Sequence, residues 1–373
     1  MPVHFATLVS SLAKLWLKGA ESLWITTRER ALAFLVALTL AIGVLAAFET
    51  TGAFEALKLS KPLRPFPEWQ APEWVYIPWK IARSFQEEAD IVLLLGGSTS
   101  RELTPSDDYV SSELSNRCGR AIRFINGGSS DQTLAEAWAI TEAMPKGRLA
   151  SVVVGVNYLR FEESMEDVAR RANSSRMPFG IPAEVRHLLS ENGINVGYSF
   201  PPLRWTGWLV NNLTKLTWGH TSAESIDSGI YTDPFEGYSN RYHYPPKPIE
   251  AKVRIVDQMI SERLSLLESN HSDGGYMWSS FANLMTNGGS NVLFLVLPES
   301  SSLIPFRKRS EKYLQKTLGE LESSRGRVLD WRIRPELNEQ DFFDQQHLLR
   351  SGREKLSGEL LKLFSETIPN CGR

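Results

Sequence analysis

The sequence predicts an α/β fold built on a five-stranded parallel sheet. Three features carry that expectation: five short apolar runs, helical patterns or long connections between them, and Gly- or Asn-containing loops just after the early runs. The runs are 91–95 (IVLLL), 121–125 (AIRFI), 151–154 (SVVV), 292–297 (VLFLVL) and 328–331 (VLDW). Short, continuous runs rich in β-branched residues suit strands buried on both faces. Helices expected over 131–144 and 307–323 supply crossovers, and repeated βαβ units put helices on both sides of the sheet. In such sheets the chemistry lies at the carboxyl ends of the strands.

The residues after each run are therefore the ones to read. Gly96-Gly97-Ser98-Thr99-Ser100 follows the first, and Asn126-Gly127-Gly128-Ser129-Ser130-Asp131 the second. Gly155-Val156-Asn157-Tyr158 follows the third. After the fifth, a loop carries Asp344-Gln345-Gln346-His347, and Ser351-Gly352-Arg353-Glu354 has the form of a capping box opening the last helix. Leu356, Leu360, Phe364 and Ile368 mark the buried stripe of that helix.

These loops supply the parts of a nucleophilic site. A serine hydroxyl needs a base to accept its proton, and histidine is the residue type suited to that near neutral pH. His347 is the expected base, Asp344 the carboxylate that orients its ring, and Ser98 the nucleophile on a turn opened by two glycines. The backbone N–H of Ser98, a backbone N–H near Ser130 or Asp131, and the side-chain amide of Asn157 are expected to form the oxyanion hole. Each piece has a plainer reading. Gly-Gly-Ser also suits a turn or a phosphate cradle, isolated Asn residues form turns, and Asp-x-x-His arises by chance. Their order along one sheet carries the argument.

That order resembles the SGNH (GDSL-like) hydrolase family, on Gly96-Gly97-Ser98, Asn126 to Asp131, Gly155-Val156-Asn157-Tyr158 and Asp344 to His347. The resemblance covers roughly residues 88–364 apart from a long insertion. It implies a flavodoxin-like three-layer sandwich and acyl transfer or hydrolysis through an acyl-Ser98 intermediate. Three positions depart from the family pattern. Gly97 replaces an acidic residue, Asp131 replaces a glycine and is expected to cap the following helix, and Tyr158 replaces an aspartate.

Composition sets the context. The chain has 373 residues, with 43 Asp+Glu against 41 Lys+Arg. That balance argues against a nucleic-acid binder. A mean hydropathy of −0.22 excludes a polytopic membrane protein but not a single span. Residues 31–48 (ALAFLVALTLAIGVLAAF) carry no charge and rise about 27 Å as a helix, close to a bilayer core. The run lacks the polar face of a core helix and the short lead of a signal peptide. The expected organisation is a cytoplasmic amphipathic segment at 1–30, an anchor at 31–54 and a Pro/Trp-rich connector at 55–87. The SGNH-like domain follows at 88–373. Lys14, Lys18, Arg28 and Arg30 before the span favour a cytoplasmic N-terminus and an extracytoplasmic domain. Prolines 62, 65, 67, 72 and 78 argue against a long helix in the connector.

The insertion at about 159–290 exceeds an ordinary connection. Trp205, Trp208, Arg241, Tyr242 and His243 suit a glycan groove, with an ordinary aromatic core as the alternative. Residues 249–268 are expected to form one helix with Val253, Val256, Met259, Ile260 and Leu264 on one side. No metal or cofactor is expected.

A membrane-tethered domain of this type also resembles the SGNH partners of membrane-bound O-acyltransferases, in alginate O-acetylation and teichoic acid D-alanylation. The resemblance implies transfer of an acyl group, acetyl first, onto a cell-surface or exported polysaccharide, with a membrane-bound O-acyltransferase as partner. A plain esterase or deacetylase, and a non-catalytic polysaccharide assembly factor, are the alternatives. Two cysteines remain. Cys118 precedes the second strand at the bottom of the sheet, and Cys371 follows the last helix to the same edge. A Cys118–Cys371 disulfide and two free thiols are the two possibilities.

Overall fold

The computed structural model describes residues 73–172, 182–196 and 245–371. The chain divides into two units, Met1–Ala53 and Phe54–Arg373, and every described residue belongs to the second. The expected span at 31–54 and the aromatic candidates Trp205, Trp208, Arg241, Tyr242 and His243 lie outside the described residues. Among the described residues, no helix is long and apolar enough to cross a membrane.

The fold is α/β. Strands β1 (Asp90–Gly96), β2 (Ile122–Asn126), β3 (Leu149–Val156), β4 (Asn291–Val296) and β5 (Arg327–Asp330) form one sheet in the order β2-β1-β3-β4-β5. All four pairings are parallel. The chain reverses its direction of travel between β1 and β3. Their carboxyl ends therefore flank a crevice, where doubly wound sheets place ligands.

Successive side chains of a strand point to opposite faces, and here both faces are apolar. Leu93, Leu95, Val152, Val154, Phe294 and Val296 enter one core. Helices α4 (Leu134–Glu142), α8 (Leu264–Asn287) and α9 (Ile304–Ser323) cover it through Trp138, Trp278, Phe281 and Leu314. Val92, Leu94, Phe124, Val153, Leu293 and Leu295 enter the other core. Helices α3 (Asp107–Cys118) and α10 (Arg350–Thr367) close it with Val110, Leu114, Leu356, Leu360 and Phe364. Helices thus lie on both faces, the arrangement of a three-layer sandwich.

Several expectations change. Helix α1 (Glu73–Ser84) forms inside the expected connector and contains Pro78. Its Ile77 and Ile81 enter the first core, and its buried Lys80 pairs with Asp107 at 3.1 Å. Burial on the sheet keeps a helix that proline density alone argued against. The helix expected from Asp131 begins at Leu134. Thr133 is its N-cap, in a capping box with Glu136, while Asp131 sits at φ 49° as a left-handed turn residue.

The expected helix over 249–268 is two. Helix α7 (Ile249–Glu262) ends at Arg263, and α8 continues to Asn287 as the crossover between β3 and β4. Part of the apparent insertion is therefore ordinary βαβ structure. In α7, Val253 is 45% exposed, while Lys252 takes a buried place beside Val256 and Met259. The capping box at Ser351 does not form. The N-cap of helix α10 is Leu349, two residues earlier, and the Ser351 hydroxyl donates to Asp341.

Cys118 and Cys371 are joined in a disulfide spanning 253 residues. It ties the end of α3 to the segment after α10. Cross-linking so distant a pair restricts the unfolded chain. A Cys118→Ser/Cys371→Ser variant is expected to lose about 2–4 kcal/mol of stability in denaturant unfolding; an unchanged midpoint would remove the staple's role.

Candidate active site

The site grows from how β1 and β3 end. Gly96 pairs with Gly155 across the two strands. Just beyond, the short helix α2 (Ser98–Arg101) turns back over the strand ends. The Ser100 hydroxyl donates to the Gly155 carbonyl at 3.3 Å. A Cβ on Gly96 would lie 2.1 Å from Ser100 Oγ, and one on Gly155 would lie 2.2 Å from it. Gly96 also has φ +133°, a conformation side chains disfavour. Two glycines let Ser100 wedge against the sheet, and that contact seats Ser98.

The second loop is held by amides. Gln132 Oε1 accepts from Gly96 N–H at 2.7 Å, and its Nε2 donates to the Gly127 carbonyl at 2.7 Å. Asn126 Nδ2 donates to the Arg101 carbonyl and to Thr104 Oγ1, each at 2.9 Å, while its Oδ1 accepts from Gly128 N–H. Asn126 is 1% exposed and acts as a structural hub. Gln132 had no motif to mark it in the sequence.

The third part is the loop before α10. Phe342 bridges Leu348 in antiparallel fashion, and Phe343 N–H donates to the His347 carbonyl at 2.8 Å. Inside this turn, Asp344 Oδ1 accepts from the backbone N–H groups of Gln346 and His347, both at 3.0 Å. Helix α7 braces the loop from outside. Lys252 Nζ donates to the carbonyls of Glu339 and Phe342 and to the Glu339 carboxylate, at 2.9–3.2 Å.

These elements bring Ser98, His347 and Asp344 together. Ser98 Oγ lies 2.8 Å from His347 Nε2. His347 Nδ1 lies 2.9 Å from both Asp344 oxygens. Burial raises the Asp344 pKa, but the hydrogen bond and charge of His347, with the two loop N–H groups, outweigh it and hold the carboxyl well below the usual range. An ionised carboxylate only accepts, so Nδ1 carries the proton. Nε2 is left to accept from Ser98.

The expected oxyanion donors are arranged differently from one another. Ser98 N–H opens α2 and has no partner within that helix. Asn157 Nδ2 approaches Thr99 Oγ1 at 3.4 Å and Gln346 Oε1 at 3.3 Å, so the amide is shared with the loop that bears His347. Ser130 Oγ accepts from Arg101 Nη1 at 3.5 Å. Asp131 is exposed on its left-handed turn.

Gly97 answers a different need. A Cβ there would lie 2.4 Å from Arg160 Nη2. Arg160 belongs to the 3₁₀ turn Tyr158–Phe161 that follows Asn157. Its guanidinium fills the space that an acidic side chain at 97 would need. Among the described residues, no cluster of His, Cys, Asp or Glu is placed to hold a metal ion.

No protein-family model matches the chain, and no curated protein matches it.

Two outcomes follow from this packing. Gly155→Ala is expected to drive a methyl into Ser100 and lower stability by about 1–3 kcal/mol, read by denaturant unfolding. A neutral result would mean that α2 does not depend on this approach. The second concerns Glu162 and Glu163, whose carboxyls burial pushes up to about 7 against Arg263 and Arg160 respectively. Both folded values exceed the ordinary 4.5, so the folded chain keeps protons that the unfolded chain has lost. Stability therefore falls as pH rises from about 4.5 to about 7 and levels above it. Asp344, shifted the other way, acts only below this window. Glu162→Gln is expected to flatten the fall; an unchanged slope of unfolding free energy against pH would contradict the assignment.

Proposed function

We propose that this chain is a membrane-anchored serine acyltransferase of the SGNH (GDSL-like) type, acting outside the cytoplasm. It moves an acyl group, acetyl first, onto a cell-surface or exported polysaccharide. The observation that carries the reading is the hydrogen-bonded series Ser98 Oγ, His347 Nε2, His347 Nδ1 and Asp344 at 2.8 and 2.9 Å. Nucleophile, base and orienting carboxylate meet at the carboxyl ends of a sheet with the flavodoxin-like strand order. The Cys118–Cys371 disulfide supports an oxidising compartment. The uncharged run at 31–48 supports the anchor.

In this reading Ser98 Oγ attacks the acyl carbonyl while its proton passes to His347 Nε2. Asp344 stabilises the resulting imidazolium. The oxyanion faces the Ser98 N–H and the region of Asn157. The tetrahedral intermediate collapses, the leaving group takes the proton from His347, and acyl-Ser98 remains. An acceptor hydroxyl then loses its proton to His347 and attacks the ester, restoring Ser98. A saccharide hydroxyl as acceptor makes the reaction transfer, and water makes it hydrolysis. A membrane-bound O-acyltransferase is the partner expected to supply the acyl group.

A fluorophosphonate is expected to label the wild type at Ser98 and to leave Ser98→Ala and His347→Ala unlabelled, by intact-protein mass spectrometry. Asp344→Asn, which leaves the ring without its charged partner, is expected to slow labelling by about 10⁴-fold. A folded wild type that stays unlabelled would point to the non-catalytic reading. With 4-nitrophenyl acetate and an oligosaccharide acceptor, acetylated saccharide supports transfer, while free acetate alone supports the esterase reading.

A further inference from the structure

Arg160 is a charged residue beside the nucleophile that the acyl-transfer steps do not use. It is 8% exposed. Its backbone N–H donates to the Asn157 carbonyl, which fixes the turn carrying it. Its Nη2 lies 2.4 Å from where a Gly97 Cβ would stand, so the guanidinium passes directly alongside the residue preceding Ser98.

A buried guanidinium is ordinarily paired. Other buried arginines of this chain follow that rule: Arg332 pairs with Glu311 and Asp330, and Arg123 with Asp108. Among the described residues, the Arg160 guanidinium makes no hydrogen bond and no ion pair. Its nitrogens are also not among the buried side-chain atoms sealed from solvent without a hydrogen bond. The unpaired N–H groups therefore keep a path to solvent, next to Ser98. The acidic groups that act on Arg160 through charge are Glu163, which pairs instead with Arg171 at 3.4 Å, Asp131 and Glu136.

We propose that Arg160 binds a carboxylate of the substrate, so that the esters handled at Ser98 carry a carboxylate near the reacting carbonyl. The proposal rests on the Ser98 reading above and names its substrate class. A planar guanidinium offers a forked set of donors that matches a carboxylate. The low exposure of the site, with Asp131, Glu136 and the partly protonated Glu163 nearby, raises the cost of bringing in a second negative charge and favours a singly charged partner. The same feature accounts for Gly97: any side chain there would displace the guanidinium. It also accounts for Asp131, whose carboxylate beside the site is offset by the Arg160 charge.

The test compares 4-nitrophenyl acetate with three charged relatives. Mono-4-nitrophenyl succinate carries the carboxylate on the acyl part, and 3-carboxy-4-nitrophenyl acetate carries it on the leaving group. A phosphate-bearing aryl acetate supplies the dianion. Rates are divided by the alkaline hydrolysis rate of each ester. One carboxylated ester is expected to exceed the neutral ester in kcat/KM by roughly 10- to 100-fold, the factor of a charge-assisted hydrogen bond. The ester that does so tells which side of the bond faces Arg160. The preference is expected to fall to near unity in Arg160→Met and to return in part in Arg160→Lys.

A readout independent of turnover is calorimetric binding of the same esters to Ser98→Ala. The carboxylated ester is expected to bind more tightly than the neutral one, and Ser98→Ala/Arg160→Met to lose the difference. A wild type without preference, a preference that survives Arg160→Met, or a stronger preference for the phosphate ester overturns the proposal. Absence of turnover with the binding difference intact counts against the Ser98 reading and leaves the carboxylate site standing.

Discussion

The close approach of Ser100 to Gly96 and Gly155 is the constraint on which the site depends. Two adjacent parallel strands end in glycines at the same level, and the missing side chains leave room for one hydroxyl. Ser100, packed there, holds α2 with Ser98 at its start against the strand ends. Gln132 then locks the neighbouring loop to Gly96, and Asn126 locks it to α2 and the segment after it. Interiors pack at the density of organic crystals, so a methyl group in this place cannot be absorbed by small adjustments.

The loop of Asp344 and His347 arrives from the opposite end of the chain and is positioned by different means. Asp344 does two jobs with one charge: it closes the turn through two backbone N–H groups and orients the imidazole. Lys252 adds a brace from α7 that reaches the loop's carbonyls. The segment between β3 and β4 is therefore mechanically joined to the histidine loop. Asn157 and Gln346 join the third strand end to the same loop. The result is a site whose parts come from four regions of sequence and meet through short polar contacts in a nearly dry setting, where such contacts are strongest.

Much of this was legible in the sequence. The five strands fall within two residues of the apolar runs; β1 to β4 are apolar because they are buried on both faces, while β5, at the sheet edge, is only half-buried. Ser98 was readable because it sits just beyond an apolar strand, and Asp344 and His347 because they lie just before a helix with a clear hydrophobic stripe. Arg160, Gln132, Lys252 and Gln346 were not. An arginine, two glutamines and a lysine read as solvated polar residues until their surroundings are known, and Lys252 lay on a stripe that the helical period alone assigns to Val253. The helix at Glu73–Ser84 was masked by its proline, since local propensity cannot register what burial of Ile77 and Ile81 contributes.

The sequence by itself determined the class of fold, the parallel order of its units and the residue types at the strand ends, since periodicity and turn chemistry are local. Tertiary structure decided which polar side chains became partners. It joined Cys118 to Cys371, turned Asn126 into a buried hub, and placed the Arg160 guanidinium beside Gly97 without a partner among the described residues. Those outcomes depend on distances between segments far apart in the chain. They are set by close packing of the sheet's two faces, which no window of sequence contains.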